Sequence, residues 1–418
     1  MRDAAGRSRI ADPALVPEGE ERIEWVARHS PVLNTLARER LADGALKGRR
    51  VAVVVHLEAK TAYLATLLAE AGAEVVAAGS NPGSTQDAVC AALIARGIEV
   101  HASHGSSPEQ FEEDLRAVID TAPELVVDDG AELTARLLRH RPELAEGLRG
   151  VTEETTTGVV RLRAMEAEGR LGFPALAAND ARCKHLFDNR YGTGQSTLAA
   201  VFGLTNLAAS LRRVCVVGYG WVGKGLARYA EGMGARVTVV EVDPVKALEG
   251  HMDGYKVARL AEALPEADLV LTGTGGIEVI GREALPHLKD GVILANAGHH
   301  DREIDRTALA EAAAQVEEVR AGITRYTFPD GRRAYLLVEG RLANIAGGDG
   351  HPVEIMDLSF SVQALALHHL ATTELAPGVH RFPAELDREI ARTKLATMGI
   401  QLDELTPAQE EFFRSWQV

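Results

Sequence analysis

Cysteine is scarce in this chain of 418 residues, and so are aromatic side chains and long apolar runs. Cys90, Cys183 and Cys215 are odd in number, far apart and without a C-x-x-C pair. That speaks against a disulfide framework and against a zinc site built on thiolates. No stretch supplies the roughly 18 uninterrupted apolar residues of a membrane span, and the charged start Met1-Arg-Asp-Ala-Ala-Gly-Arg7 does not read as a secretory signal. A cytoplasmic protein is expected. A cationic surplus is missing too: the net charge of −15 disfavours nucleic acid as the main partner. Repeats and low-complexity tracts are absent. The length suffices for two or three domains, each with its own core.

The chain is organised around Val214-Cys-Val-Val-Gly-Tyr-Gly-Trp-Val-Gly-Lys-Gly225. A short β-branched run leads into Gly218, Gly220 and Gly223 in G-x-G-x-x-G spacing, and a helical pattern follows from Leu226. In such a turn the first glycine allows the bend, the second lets backbone approach a pyrophosphate and the third lets helix pack on strand. The phosphates then meet unpaired N–H groups at a helix N-terminus. A second strand, Arg236 to Asp243, places Glu241 about 20 residues on, where an acid accepts from a ribose 2′-OH. NAD is therefore expected rather than NADP.

Before this motif, residues up to about Glu21 read as a loose lead-in, and Arg22 to Leu46 as one or two helices. Strand runs at Arg50–His56, from Glu74, from Ile98 and at Glu124–Gly130 alternate with helices ending near Leu68 and Arg96 and one near Phe111. Such alternation specifies a parallel, doubly wound sheet. A second α/β domain is expected from Gly194 to Asn344, with strands at Leu269–Gly275 and Val292–Gly298. Beyond Pro352 a helix returns towards the first domain, and two small helices split near Thr406-Pro407 close the chain.

Ligands in open α/β sheets bind beyond the carboxyl ends of strands. His56, Asp128-Asp129 and His299-His300 all stand at such ends. Each alone is compatible with a cap or a structural hydrogen bond; three together point to a site. Lys184 and Asp188 are four apart, so a helix puts them on one face, as an exposed ion pair or as something more specific. Glu153-Glu-Thr-Thr-Thr-Gly158 gathers acids and hydroxyls at a strand-to-helix turn, where capping is the plain alternative.

Taken in order, Ser84-Thr-Gln-Asp87, Asp128-Asp-Gly130, Glu153–Gly158, Asn179-Asp180, Lys184 with Phe187-Asp-Asn189, Gly218–Gly225, Gly298-His299, Glu339-Gly-Arg-Leu342 with Asn344, and Gly350-His-Pro352 form a recognisable set. Over nearly its whole length the chain resembles S-adenosylhomocysteine hydrolase, in its archaeal and thermophile-like branch. The resemblance implies two doubly wound parallel-sheet α/β domains: a substrate-binding domain over 1–190, completed by 350–383, and a Rossmann NAD domain over 191–349. A C-terminal helical segment over 384–418 follows. It also implies a homotetramer working in the methyl cycle on a nucleoside thioether, with NAD as cofactor and no metal.

The implied chemistry is redox-neutral: permanently held NAD⁺ oxidises the ribose 3′-OH, the acidified C4′–H allows elimination of homocysteine, water adds and the alcohol is restored. By resemblance, Lys184 and Asp188 serve O3′, Lys184 losing its proton with help from desolvation on domain closure. Asp129 is the C4′ base, His56 and His299 handle the sulfur and the water, and Glu154 binds ribose hydroxyls. Glu58, Lys60, Thr61, His351 and Met356 complete the implied substrate set. The implied cofactor set is Thr155, Thr156, Thr157, Asn189, Gly218, Gly220, Trp221, Val222, Gly223, Glu241, Lys246, Ala297, Gly298, His299, Asn344 and His351.

Four departures stand out. After His56 the family carries Thr and then Glu; here Glu58 and Lys60 take those places. A lysine, which only donates, suits the 6-oxo group of hypoxanthine, so S-inosylhomocysteine enters as an alternative substrate. Equally, Glu58 replaces the lost acceptor or pairs with Lys60. Thr193 replaces a cysteine near the cofactor, Lys246 replaces an asparagine, and the chain stops at Val418 without the longer tail that reaches a neighbouring subunit's cofactor site in many relatives. A simple NAD-dependent dehydrogenase and a non-catalytic NAD-binding regulator are the remaining alternatives.

Overall fold

The computed structural model describes residues 8, 12–299 and 301–416, so His300 lies outside the described residues. The first six strands are β1 (Arg50–Val55), β2 (Glu74–Gly79), β3 (Glu99–His101), β4 (Leu125–Asp128), β5 (Gly150–Glu153) and β6 (Pro174–Ala177). Next come β7 (Arg213–Val217), β8 (Arg236–Val240), β9 (Lys256–Val257), β10 (Leu269–Thr272), β11 (Val292–Asn296), β12 (Gln315–Arg320), β13 (Ile323–Thr327) and β14 (Arg333–Leu337). The last, β15 (Gly378–Arg381), lies far along the chain. Val51 to Val55 and Leu125 to Asp128 are buried throughout, as strands covered on both faces require.

Two sheets result. One has the order β15-β6-β5-β4-β1-β2-β3, all pairs parallel. The other runs β12-β13-β14-β11-β10-β7-β8-β9. It is parallel from β9 to β14 in this order, but β13 is antiparallel to both β12 and β14. That antiparallel extension departs from the doubly wound expectation. Its turn is Pro329-Asp-Gly331, where Phe328 N–H donates to the Arg332 carbonyl at 2.8 Å and Gly331 has φ +86°.

In each sheet the winding direction reverses at one place: between β1 and β4 in the first and between β7 and β10 in the second. Crevices open there at the carboxyl ends. His56 and Asp129 follow the first pair, and Gly218 and Gly273 the second.

Two stretches differ from the sequence reading. The loose lead-in is helical from Val16 to Arg28, because Gly19, Ile23 and Val26 form a buried stripe and Gly19 lies against the Ala88 backbone. The helix Ala384–Thr397, grouped by sequence with a C-terminal segment, is tied to the first sheet's body. Ile390 joins that core, and Asp387 accepts from the N–H groups of Arg182 and Cys183 at 2.8 Å each. The helix Pro407–Arg414 has no buried residue.

Candidate active site

The strand-end residues of both sheets meet in one cleft of about 710 Å³. From the first body it is lined by His56, Glu58, Lys60, Thr61, Asp129, Glu154, Thr155, Thr156, Thr157, Lys184, Asp188 and Asn189. Gly220, Trp221, Val222, Lys246, Ala297, Gly298, His299 and Asn344 line it from the second, and His351 and Met356 from the returning chain. Gly218, Gly223 and Glu241 do not line it. They build the turn behind it instead. Gly218 has φ +98°, and a Cβ on Gly223 would overlap the Gly218 carbonyl oxygen. The Glu241 carboxylate accepts from the backbone N–H groups of Tyr219 and Val242 at 2.7 Å and of Asp243 at 3.0 Å.

These features fit a dinucleotide. The helix Trp221–Gly232 starts at Gly220 with no side-chain cap, so its first turn offers N–H groups and the positive end of its dipole to the cleft. Asn344 donates to Ser196 at 3.1 Å, while its Oδ1 is buried with no hydrogen-bond partner. A buried acceptor of that kind suits a carboxamide donor. Thr155 is spent locally as the cap of the helix Thr156–Ala167, accepting from Gly158 N–H at 3.1 Å.

Within the cleft sits a buried cation. Lys184 Nζ donates to Asn189 Oδ1 at 3.0 Å and stands 3.3 Å from Glu154 Oε1 and 3.4 Å from Asp188 Oδ1. The pair four residues apart is therefore a buried cluster, not the exposed ion pair that spacing alone allowed. Burial acts to lower the Lys184 pKa, but Asp188 and Glu154 outweigh it and hold the ammonium above its ordinary value. In this arrangement the charged form of Lys184 is favoured, and the loss of its proton implied by the resemblance is an expectation for the closed site. Burial likewise acts against ionised Asp188, yet Lys184 and His351 bring it below the usual range. Glu154 differs: burial pushes it up to about 7 despite Lys184. Asp188, with two cationic-type neighbours and a hydroxyl donor, is the firm counter-ion, and Glu154 is the member that titrates.

In the same cleft Asp129 Oδ2 lies 3.6 Å from His56 Nε2 and accepts from Ser80 at 2.7 Å, while Oδ1 lies 4.0 Å from His299 Nε2. Burial opposes its ionisation, but His56, His299 and the Ser80 hydrogen bond bring the carboxyl below its ordinary value. Burial lowers His299, which favours the neutral imidazole. On the cleft wall, Lys60 Nζ pairs with Glu58 Oε2 at 2.7 Å and donates to the Asp349 carbonyl at 2.9 Å. The pairing allowed by sequence is present. Thr193 does not leave a gap where a cysteine was expected: its hydroxyl bonds His351 Nε2 at 3.0 Å.

Sequence reasoning missed the supports. Ser359 donates to Asp188 Oδ2 at 2.9 Å; Gln363 donates to Glu154 and accepts from Thr152 at 2.7 Å. Both stand on the helix Val353–Thr372, where Met356, Ser359, Phe360 and Gln363 follow i, i+3, i+4, i+7 spacing and could have been read as one face. Glu153 accepts from Gly130 and Ala131 N–H at 2.9 Å each and fixes the turn that carries Asp129.

Residues 7–141 match the family described as S-adenosyl-L-homocysteine hydrolase, and residues 189–350 its NAD binding domain. An adenosylhomocysteinase of Thermotoga maritima is 49% identical, covering 96% of this chain and 99% of its own. An S-inosyl-L-homocysteine hydrolase of Methanopyrus kandleri is 48% identical, covering 99% and 98%, and an adenosylhomocysteinase of Thermococcus kodakarensis is 48% identical, covering 98% and 97%. The chain belongs to the S-adenosyl-L-homocysteine hydrolase family. It is thus an enzyme of a hydrolase family with an NAD-binding domain, and the Gly218–Gly225 turn lies inside the matched NAD-binding stretch. Relatives of nearly equal similarity carry two substrate names, so identity alone does not choose the purine.

Proposed function

We propose that the protein catalyses the reversible hydrolysis of S-adenosyl-L-homocysteine to adenosine and L-homocysteine. The observation that carries this is one cleft that holds both the buried cluster of Lys184, Glu154 and Asp188 and a His–carboxylate–His group, beside the glycine turn. A simple dehydrogenase needs no second acid–base group.

NAD, when bound, supplies the reversible oxidation of the ribose 3′ carbon. Lys184 faces the 3′ hydroxyl as a donor that stabilises developing charge on oxygen, and the hydroxyl proton passes to the deprotonated form of Glu154, whose pKa is pushed up to about 7. Asp129, ionised and buried, takes the C4′ proton. His56 and His299, on either side of it, protonate the leaving sulfur and direct the entering water. Asn344 and the first turn of the helix Trp221–Gly232 hold the cofactor.

S-inosyl-L-homocysteine is the second reading, favoured by Lys60 Nζ, which keeps one N–H after serving Glu58 and Asp349. A cytoplasmic enzyme of the methyl cycle follows from the proposed substrate; among the described residues no helix is long and apolar enough to cross a membrane. Homotetramer formation is supported by the exposed Leu402, Leu405, Phe412, Phe413 and Trp416, an apolar surface that a further copy can cover. The test is incubation of purified protein with each thioether, and with each nucleoside plus homocysteine. Thiol release and its reversal are expected; net reduction of NAD with an oxidised product, or no thiol from either compound, refutes the reading.

A further inference from the structure

His56 follows β1, Asp129 follows β4 and His299 follows β11, so three strand ends from two sheets deliver one ligand-type atom each, all within 4.8 Å of one another. We propose that these three side chains form a binding site for a divalent transition-metal ion, which bridges the two sheets and excludes substrate while bound.

Three observations carry the site. Asp129 Oδ1 is buried and has no hydrogen-bond partner, a state that a cation relieves. The His56 ring is also set in advance. The Ser84 hydroxyl donates to the Asn81 carbonyl at 2.9 Å and so accepts from His56 Nδ1 at 2.6 Å, which directs Nε2 to the Asp129 side, where a metal ion takes the place of its proton. Hydrogen bonding of the other ring nitrogen is how metal-bound histidines are held. Finally, the spacing is nearly right. Arms of about 2.0–2.2 Å in a tetrahedron separate ligand atoms by roughly 3.3 Å. Asp129 presents Oδ2 to His56 Nε2 at 3.6 Å and Oδ1 to His299 Nε2 at 4.0 Å, and one ligand atom from each of the three residues lies within 4.8 Å of the others, so small side-chain adjustments bring them into range.

Two imidazoles and one carboxylate suit Zn²⁺, Co²⁺ or Cu²⁺, not Mg²⁺ or Ca²⁺, which require a shell of oxygens. Such a site needs no cysteine, so the scarcity of thiols has no bearing on it. Three protein ligands leave the fourth position for water or for an aliphatic thiolate, a soft ligand that such an ion takes readily. Binding of the ion is independent of the proposed reaction; its inhibitory consequence rests on that reading, because the ion occupies the groups assigned to C4′ and sulfur.

The test is titration of NAD-loaded protein with Co²⁺, read by visible d–d absorption, followed by displacement with Zn²⁺ and by thiol release in the presence of Zn²⁺. One Co²⁺ per chain is expected, in a four- or five-coordinate spectrum. Affinity falls at least about tenfold in H56N and in H299N, and about tenfold to a hundredfold in S84A. It is unchanged in H368N, whose histidine pairs with Asp43 at 2.7 Å elsewhere in the chain. Unmodified protein gives a second measure that needs no variant: adenosine and Co²⁺ bind in mutual exclusion. Co²⁺ binding that survives both active-site histidine variants, or that is lost in H368N, overturns the site. Thiol release indifferent to saturating Zn²⁺, or a Co²⁺ titration unmoved by adenosine, overturns the blocking. Co²⁺ binding as described in a protein that releases no thiol supports the site and refutes the hydrolase reading alone.

Discussion

Lys60→Met separates the two readings of the purine pocket. Of the three N–H groups on Lys60 Nζ, one serves Glu58 Oε2 at 2.7 Å and one the Asp349 carbonyl at 2.9 Å. Glu58 Oε2 also accepts the Lys60 backbone N–H at 3.1 Å, as the cap of the helix Ala59–Glu70. The pair therefore presents one spare donor and, at Glu58 Oε1, one spare acceptor. A 6-oxo purine is met by the donor and a 6-amino purine by the acceptor. A hydrogen bond to a charged group contributes about 1.5–3 kcal/mol, which is about tenfold to a hundredfold in kcat/KM. K60M is expected to lower kcat/KM for the inosyl compound by that factor relative to the adenosyl compound, and E58Q to move the ratio in the opposite direction.

Both side chains are more than nine-tenths buried, so breaking the pair also costs stability. Removing one partner of a buried ion pair costs about 3–5 kcal/mol, because a charge stays behind uncompensated. Urea unfolding reads that loss, and E58Q/K60M recovers most of it. The substrate ratio is immune to the stability term, since both substrates are measured on the same folded fraction. A ratio that stays within about twofold in both single variants refutes the assignment of this pair to the purine.

Other outcomes follow from the remaining geometry. Glu154 has a folded value of about 7 against an ordinary 4.5, so the stability it contributes is fully present below pH 4.5 and is lost as pH rises through 7. The stability of wild type minus that of E154Q therefore falls on the order of 3 kcal/mol between those limits; pH-dependent urea midpoints check this, and a flat difference contradicts it. G223A drives a methyl group into the Gly218 carbonyl, and the NAD content of the purified variant, read by absorbance after extraction, is expected to collapse while the first sheet stays folded. D129N removes the carboxylate that faces both histidines and is expected to slow exchange of the ribose 4′ hydrogen into D₂O by about 10²–10⁴; unchanged exchange by NMR assigns that proton elsewhere. K184M is expected to lower kcat by a similar factor, with the adenosine Kd little changed in a binding titration.

The sheets and the strand-end residues were legible in the sequence because parallel strands announce themselves as β-branched runs, and topology then dictates which ends meet. His56, Asp129 and His299 were found that way. The β12–β14 extension was not, although Pro329-Asp-Gly331 is a turn signal, because an α/β alternation had already claimed the segment. Protonation was less legible still. Lys184 looks like a group to be neutralised when only its burial is imagined; its charge is favoured by Asp188, held by Ser359, and by Glu154 at the end of the neighbouring strand β5. The partner of Lys60 was likewise half hidden, since Glu58 is adjacent but the Asp349 carbonyl is 289 residues away.

The returning helix Val353–Thr372 explains why the first sheet needs the end of the chain. Lys184, Glu154 and Asp188 together carry more acid than base, and each is within 5% of full burial. Two bare carboxylates beside one ammonium would be costly in such a place. The helix brings neutral donors to the acids, Ser359 to Asp188 and Gln363 to Glu154, while the other end of the Gln363 amide is spent on Thr152 of β5. Lys184 and His351, with Ser359 assisting, bring Asp188 below its ordinary value, whereas Glu154, poorer in cationic neighbours, is pushed by burial up to about 7. A site that must take up and return one hydroxyl proton in each cycle needs such a split between two carboxylates. The split itself comes from Lys184 and His351 beside Asp188 and from burial of Glu154, while the helix lends a neutral donor to each acid, so the cluster is not fully hydrogen-bonded until the chain has crossed back.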